Sequence, residues 1–369
     1  MGGIGYGPTW IGASILRGMR ALSRPHRSEP GTASTAEARL VPTLLVAGWG
    51  SVVVAVVAQA AAPWIVDRYA LWPLLVGIVV LGLPHGALDH LIPARTGYAW
   101  GRRPLPVALF LGAYAALVAA YLGLWLLAPT WAFAGFLLAT IVHWGQGDQR
   151  FLEIFVGRRQ RRGIGALVTV ATRGALPILV PIAAFPAAAQ DLFARATTGL
   201  GLDVATPVLA TPGLRLAIVV ALAGLVAGYL AVAVDAAASR AGLLVDVAEV
   251  AVLIGFFAFV PAYAAIGVYF VAWHSLRHLA RLLLLRPVDA DAVRRGQLAG
   301  PVRRLAIDLV PVTVAAVVLL AGLTAWSRAN LQSLDDFVAL YLVLISALTM
   351  PHMLVVAMMD VAPNVEGRT

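Results

Sequence analysis

The chain has 369 residues, 61% of them hydrophobic and 12% charged, with a formal net charge of +9. Soluble globular domains sit near half apolar and a quarter charged, so this composition excludes one and indicates a polytopic membrane protein. The positive charge does not indicate nucleic acid, because all 27 basic residues are Arg and most of them fall between or at the ends of apolar runs, where such charges set membrane orientation.

Residues 1–40 are rich in Gly, Ser and Arg and read as a mobile cytoplasmic leader rather than a cleaved segment. A transmembrane helix needs about 20 mostly apolar residues. Ten stretches qualify, at roughly 43–62, 70–93, 104–127, 131–155, 164–187, 213–235, 243–260, 261–285, 304–325 and 336–359. Pro261 alone punctuates the seventh and eighth, and residues 188–212 read as a loop containing Thr, Gly and Pro. There is no convincing internal repeat. The expected architecture is an all-α polytopic transmembrane helix bundle of about ten helices. Residues 41–360 then form one catalytic membrane domain and 361–369 a cytoplasmic tail.

The arginines test this count. With the N-terminus inside, 22 arginines face the cytoplasm, four face outward (Arg68, Arg195, Arg215 and Arg328), and Arg173 falls within a helix. That imbalance is a strong positive-inside signal. It puts both termini in the cytoplasm; the expected location is the cell's inner (plasma) membrane, as a multi-pass chain.

Six of the seven histidines lie in apolar stretches: His85 and His90 in the second, His143 in the fourth, His274 and His278 in the eighth, His352 in the tenth. All four stretches run from outside to inside, and each histidine sits in the half nearer the basic side. Histidine is costly in hydrocarbon, so a shared depth argues for a common site. His274 and His278 stand at i and i+4, on one helical face, where two imidazoles can hold one metal ion. Pro84 and Gly86 bracket His85, loosening the helix and letting a neighbour approach. Asp89, four residues after His85, can accept the ring N–H not used for a metal; His143 too is followed by glycines and a carboxylate, Asp148. His352 and His90 read equally well as structural or supporting groups. Arg277 reads as an anchor at the cytoplasmic interface. The aromatic run from Phe256 to Trp273 reads as lipid-facing or core.

With no cysteine in the chain, disulfides, thiolate metal sites, iron–sulfur clusters and cysteine nucleophiles are excluded. An all-imidazole site suits iron, copper or zinc. The surrounding hydrocarbon points to an apolar substrate arriving from the lipid, and so to oxidative cleavage, hydroxylation or desaturation. A di-iron desaturase is disfavoured because one His-x-x-x-His box is present where several are expected. A di-haem cytochrome is disfavoured because no helix carries two histidines far enough apart. A transporter using histidines as relays remains an alternative, although no repeat supports it.

The segments Gly82-Leu83-Pro84-His85-Gly86-Ala87-Leu88-Asp89, His143-Trp144-Gly145 with Asp148, His274-Ser275-x-Arg277-His278 and Pro351-His352-Met353 resemble, in that order, the signature segments of the Brp/Blh family of membrane β-carotene 15,15'-dioxygenases. The resemblance covers about residues 80–360. It implies cleavage of the central double bond of β-carotene by O2 at a non-haem Fe2+, giving two retinals. It also implies iron ligation by His85, His143, His274 and His278; Asp89, Asp148 and His352 are then candidate supporting or positioning groups around them. Partners so implied are the lipid bilayer and a retinal-binding rhodopsin that accepts the product. A relative that binds carotenoid or retinal, or assists rhodopsin assembly, without turnover is the alternative within the family. Two departures stand out: Trp144 replaces the more usual Phe, and the region before the second stretch is longer than in compact members.

Overall fold

The computed structural model describes residues 35–77, 81–155, 163–204, 211–236 and 239–362; most of the leader and tail and the arginines at 158–162 lie outside them. Every regular element among the described residues is helical. The chain runs through α1 (Thr35–Ala61), α2 (Pro63–Arg68), α3 (Leu71–Gly77), α4 (Leu83–Gly86), α5 (Ile92–Arg95), α6 (Pro104–Leu127), α7 (Pro129–Phe155) and α8 (Ile164–Ala184). It continues through α9 (Pro186–Gly199), α10 (Pro212–Ala236), α11 (Arg240–Phe259), α12 (Ala262–Tyr269), α13 (Leu276–Leu284), α14 (Pro287–Arg294), α15 (Ala299–Ser327) and α16 (Leu334–Asp360). Proline opens α2, α6, α7, α9, α10 and α14, at the one helical position where its missing N–H has no partner to lose.

Seven helices among the described residues are long and apolar enough to cross a membrane: α1, α6, α8, α10, α11, α15 and α16. The protein is therefore an all-α polytopic membrane bundle. The 27-residue α7 is as long as α16, but His143, Asp148 and Arg150 interrupt its apolar run. Three outer helices, α6, α10 and α15, turn Leu109, Leu216, Val220, Val310 and Val318 outward, which in a membrane protein means toward lipid.

Two expectations are corrected. Residues 70–93 do not form one helix: after the π-type turn at Leu81–Gly82 and the four-residue α4, the chain leaves helical geometry at Ala87–Leu88, and a 3-10 turn at Asp89–Leu91 leads into α5. Pro84 and Pro93, each lacking an N–H, prevent a continuous ladder. Residues 188–212 are not simply a loop, because α9 occupies most of their first half. Thr197 and Thr198 mask its helical pattern but sit in its last turn, and Gly201, at φ +74°, reverses the chain behind it.

The eighth apolar stretch follows a break at Val260–Pro261, where the backbone is extended, as Pro261 predicts. It continues as α12, a π-helical turn at Phe270–Ser275, and α13. The α7 and α8 helices pack with their backbones in close approach. A Cβ on Gly145 would collide with the Val170 backbone, and one on Gly174 with the Ile141 carbonyl. Reciprocal glycines are how membrane helices approach without a hydrophobic drive between them. Likewise α3 lies on Gly267 of α12.

Ion pairs mark the two ends of the bundle. At one end Arg95 and Arg286 meet Asp308 at 2.6 and 3.2 Å, Arg281 pairs with Asp360, and Arg304 pairs with Asp289. These arginines belong to the set expected to share the cytoplasmic side. At the other end Arg195 of α9 donates to Asp191 at 2.7 Å and to Asp336 of α16 at 2.9 Å. Asp191 foremost raises Arg195 above its ordinary value.

Candidate metal centre

Five histidines from four parts of the chain converge. His85 comes from α4, His143 from α7, His274 from the π-helical turn, His278 from α13 and His352 from α16. Ring centroids lie 4.9 Å apart for His85 and His352, 4.8 Å for His143 and His352, and 4.9 Å for His143 and His274. His278 closes the group at 5.4 Å from His352 and 5.9 Å from His85. The His274 and His278 rings stack nearly parallel, 5° apart in plane, as the i, i+4 spacing predicts. His85, His143 and His352 each offer a nitrogen within 4.8 Å of the other two. His90 stands apart, with Nδ1 hydrogen-bonded to the Ala87 carbonyl at 2.9 Å.

All five rings are buried, none more than 8% exposed. Yet both nitrogens of His143, and Nε2 of His274, His278 and His352, have no hydrogen-bond partner. An unsatisfied buried polar group costs about 1–3 kcal/mol, so one such nitrogen would be tolerable and this concentration is not expected without a ligand. A divalent transition metal fits: it is the one partner that several neutral imidazoles facing each other can share.

The surroundings orient the rings. His85 Nδ1 meets the Gly82 carbonyl, so Nδ1 carries the proton and Nε2 is left free to coordinate. Asp89 was expected to serve His85. Instead its carboxylate meets His352 Nδ1 at 2.9 and 3.0 Å and accepts from the Tyr114 hydroxyl at 3.1 Å. The reason is local: the backbone leaves α geometry between Gly86 and Asp89, and the i+4 alignment with His85 is lost. Gly86 and Gly147 pack on rings: a Cβ added there would lie 3.4 Å from His352 Nδ1 and 3.5 Å from the His274 ring respectively.

Behind the histidines lies a buried ion cluster. Arg277, expected at the interface, is 3% exposed and donates to Asp148 at 3.0 Å and to Glu249 at 2.5 Å. Its guanidinium also lies 3.8 Å from the Phe151 ring centroid and 4.0 Å from that of Trp273. Arg173 meets Glu249 at 2.5 Å and Asp148 at 3.4 Å. Trp273 and Trp49 donate indole N–H groups to Asp148 and Glu249 at 3.2 and 3.3 Å. Asp148 therefore supports the site through Arg277, which stands between His274 and His278, rather than through a ring nitrogen. Glu249, Arg173 and Tyr114 were missed in the sequence. An intramembrane acid in an apolar run, as Glu249 is in 243–260, was the available signal.

An elongated apolar cavity opens onto three of the rings: His85, His143 and His352 line it, and His274 and His278 do not. It follows α16 from Leu342 through Ile345, Leu348 and Thr349 to His352. Ten residues of helix make that path about 15 Å long. Phe185, Ala189 and Leu192, from the start of α9 and just before it, contribute walls, as do Tyr263 and Phe270.

A family model described as "Beta-carotene 15,15'-dioxygenase" matches residues 76–360. The chain is 36% identical over 343 residues to the probable beta-carotene 15,15'-dioxygenase Blh of Halobacterium salinarum, covering 89% of this chain and 96% of that protein. It is 28% identical over 313 residues to the probable beta-carotene 15,15'-dioxygenase Brp of the same organism, covering 78% of this chain and 82% of the relative. No solved structure matches.

Proposed function

The chain belongs to the beta-carotene 15,15'-dioxygenase family, and from that membership we propose that it cleaves the central double bond of β-carotene with O2 at a non-haem Fe2+, giving two molecules of retinal. The observation that carries this reading is the set of unpartnered imidazole nitrogens at one end of an apolar cavity. His85, His143, His274 and His278 would hold the iron, which when bound supplies the activation of O2 that an organic side chain cannot. One O2 balances two aldehydes, so no further reductant is required.

The chain's own residues bind, orient and exclude. Leu342, Ile345 and Leu348 give the polyene an apolar wall, and Phe270 and Trp144 flank the histidine end. Fixing the long axis of the polyene along α16 holds its central bond beside the rings, converting an encounter into a positioned reaction. The same walls keep water from a reacting polyene. Asp89 and Asp148 hold the framework of the site, one through His352 and one through Arg277.

We further propose ten membrane segments, with α7, the α12–α13 path and the segmented region around His85 completing the seven long apolar helices. Both termini would lie in the cytoplasm of an inner-membrane protein, its substrate would arrive from the bilayer, and a retinal-binding rhodopsin would accept the product. Expression in a bacterium that makes β-carotene tests the reading. Loss of the carotenoid with appearance of retinal is expected. Undiminished carotenoid and no retinal, with good expression and iron supply, overturns it; co-purified intact carotenoid would then identify a binding protein.

A further inference from the structure

We propose that His352 is itself a metal ligand, held ready by a Tyr114–Asp89 relay, so that the metal is gripped by five imidazoles from four parts of the chain. This rests on the metal-centre reading above and enlarges the positioning role expected for His352.

Three observations carry it. The first is place: a ring nitrogen of His352 falls within 4.8 Å of nitrogens of His85 and His143, and this group, the one of its kind among the described residues, includes neither His274 nor His278. The His352 ring also lies close to three of the others, at 4.9, 4.8 and 5.4 Å from His85, His143 and His278. The second is the division of its nitrogens. Nδ1 is engaged by Asp89, and Nε2 is buried with no partner. A carboxylate can only accept, so Nδ1 carries the proton and Nε2 carries the lone pair, the form in which histidine binds metals. The third is the support of Asp89 itself. Tyr114 of α6 donates to Asp89 Oδ2 at 3.1 Å, so the carboxylate cannot swing away from the ring. Carboxylate–histidine pairs of this kind fix ligand orientation at metal sites, and their loss typically costs about 10–100-fold in metal affinity. A merely structural His352 would satisfy Nε2 with a neighbour instead of leaving it buried and unpartnered beside three other imidazoles.

Asp89 and Tyr114 are then positioning residues, acting through His352. The test uses the full-length protein purified in detergent, loaded with Fe2+ or with Co2+ as a spectroscopic stand-in. Metal content is measured by elemental analysis, affinity by competition with a chelator, and ligand number by the visible bands of the cobalt form. Wild-type protein holding one metal and H352Q holding it at least tenfold more weakly, with shifted cobalt bands, is the expected result. D89L should shift the bands toward those of H352Q although His352 is present. D89N, which keeps an acceptor oxygen, should restore most of the wild-type spectrum. H90A, outside the cluster, should match wild type. Where H352Q does not fold, H352G with added imidazole replaces it, and recovery of the wild-type bands on adding imidazole marks a ligand rather than a packing group. Metal bound by H352Q or H352G with unchanged affinity and unchanged bands overturns the proposal and leaves the four-histidine centre standing. Wild-type protein that binds no metal overturns the centre and this proposal with it.

Discussion

Arg277 shows how one side chain ties the chemistry of this site to its stability. Its planar fork reaches Asp148 on α7 and Glu249 on α11, and both carboxylates also meet Arg173. In a membrane protein such charges survive only as a set, because removing one member leaves the others buried and uncompensated. Arg277→Leu should therefore lower stability by about 3–5 kcal/mol, read as a lower unfolding temperature in detergent. Arg277→Lys should fall between the two, since an ammonium group cannot make both bonds in the same geometry. The pair Arg277→Leu with Glu249→Leu should lose less than the sum of the singles, because Arg173 and Asp148 still neutralise each other. If the losses simply add, the cluster is not acting as a unit. The histidine pair around Arg277 was legible from spacing alone. The role of Arg277 was not, because its partners lie 129 and 28 residues away on other helices, and an Arg near a helix end looks the same whether it faces lipid headgroups or a buried acid. His352 was underread for the same reason: its carboxylate is 263 residues distant.

Among the elements, the π-helical turn Phe270–Ser275 and the α7–α8 contact do most to shape the centre. The π turn adds a residue to the helix between Tyr269 and Leu276, and carries Phe270 to the cavity and His274 to the rings. On the other side, α7 presents His143 and Gly147 to the centre only because Gly145, between them, lets α8 seat closely on its far face. Gly145→Ala or Gly174→Ala would drive a methyl into backbone rather than into a yielding side chain. Either should cost about 3 kcal/mol or more and reduce the yield of folded protein, whereas Gly112→Ala, with open space around it, should be neutral. Equal behaviour of the three in thermal unfolding would rule out the close-contact account. The α1 helix precedes the family-matched region and still enters this framework, with Gly48 against Trp273 and Trp49 on Glu249. Trp49→Phe removes one hydrogen bond and should cost about 1 kcal/mol while leaving metal content unchanged. Apolar length and Pro261 made most helices readable. The broken region around His85 and α9 were harder, since short helices carry too few apolar residues to stand out and Thr, Gly and Pro disguise them.

For the whole molecule, the arrangement separates three tasks along the axis of α16. The ion-paired end of Arg95, Arg281 and Arg286 lies beyond the histidines, Arg195 and Asp336 clasp α9 to α16 at the opposite end, and the cavity runs between. A bound metal stabilises only the folded chain, so chelation should lower the unfolding temperature. The expected loss is about 2.7 kcal/mol if free metal stood a hundredfold above its dissociation constant, and His143→Ala should be insensitive to the chelator. The cavity makes a separable demand. Because α9 is tied to the N-terminal end of α16 while His352 lies far along that helix toward its C-terminal end, a long substrate beside the rings would extend along the cavity toward α9. Ala189→Trp should fill that arm without touching the rings. The variant is expected to keep its metal and its cobalt spectrum, to lose at least tenfold in cleavage of β-carotene, and to retain cleavage of a shortened apocarotenoid whose truncated end occupies the blocked arm. Product analysis with the two substrates side by side decides it. Equal loss on both would mean that the bulky residue disturbs the centre itself, and full activity on β-carotene would mean that the polyene does not lie along α16.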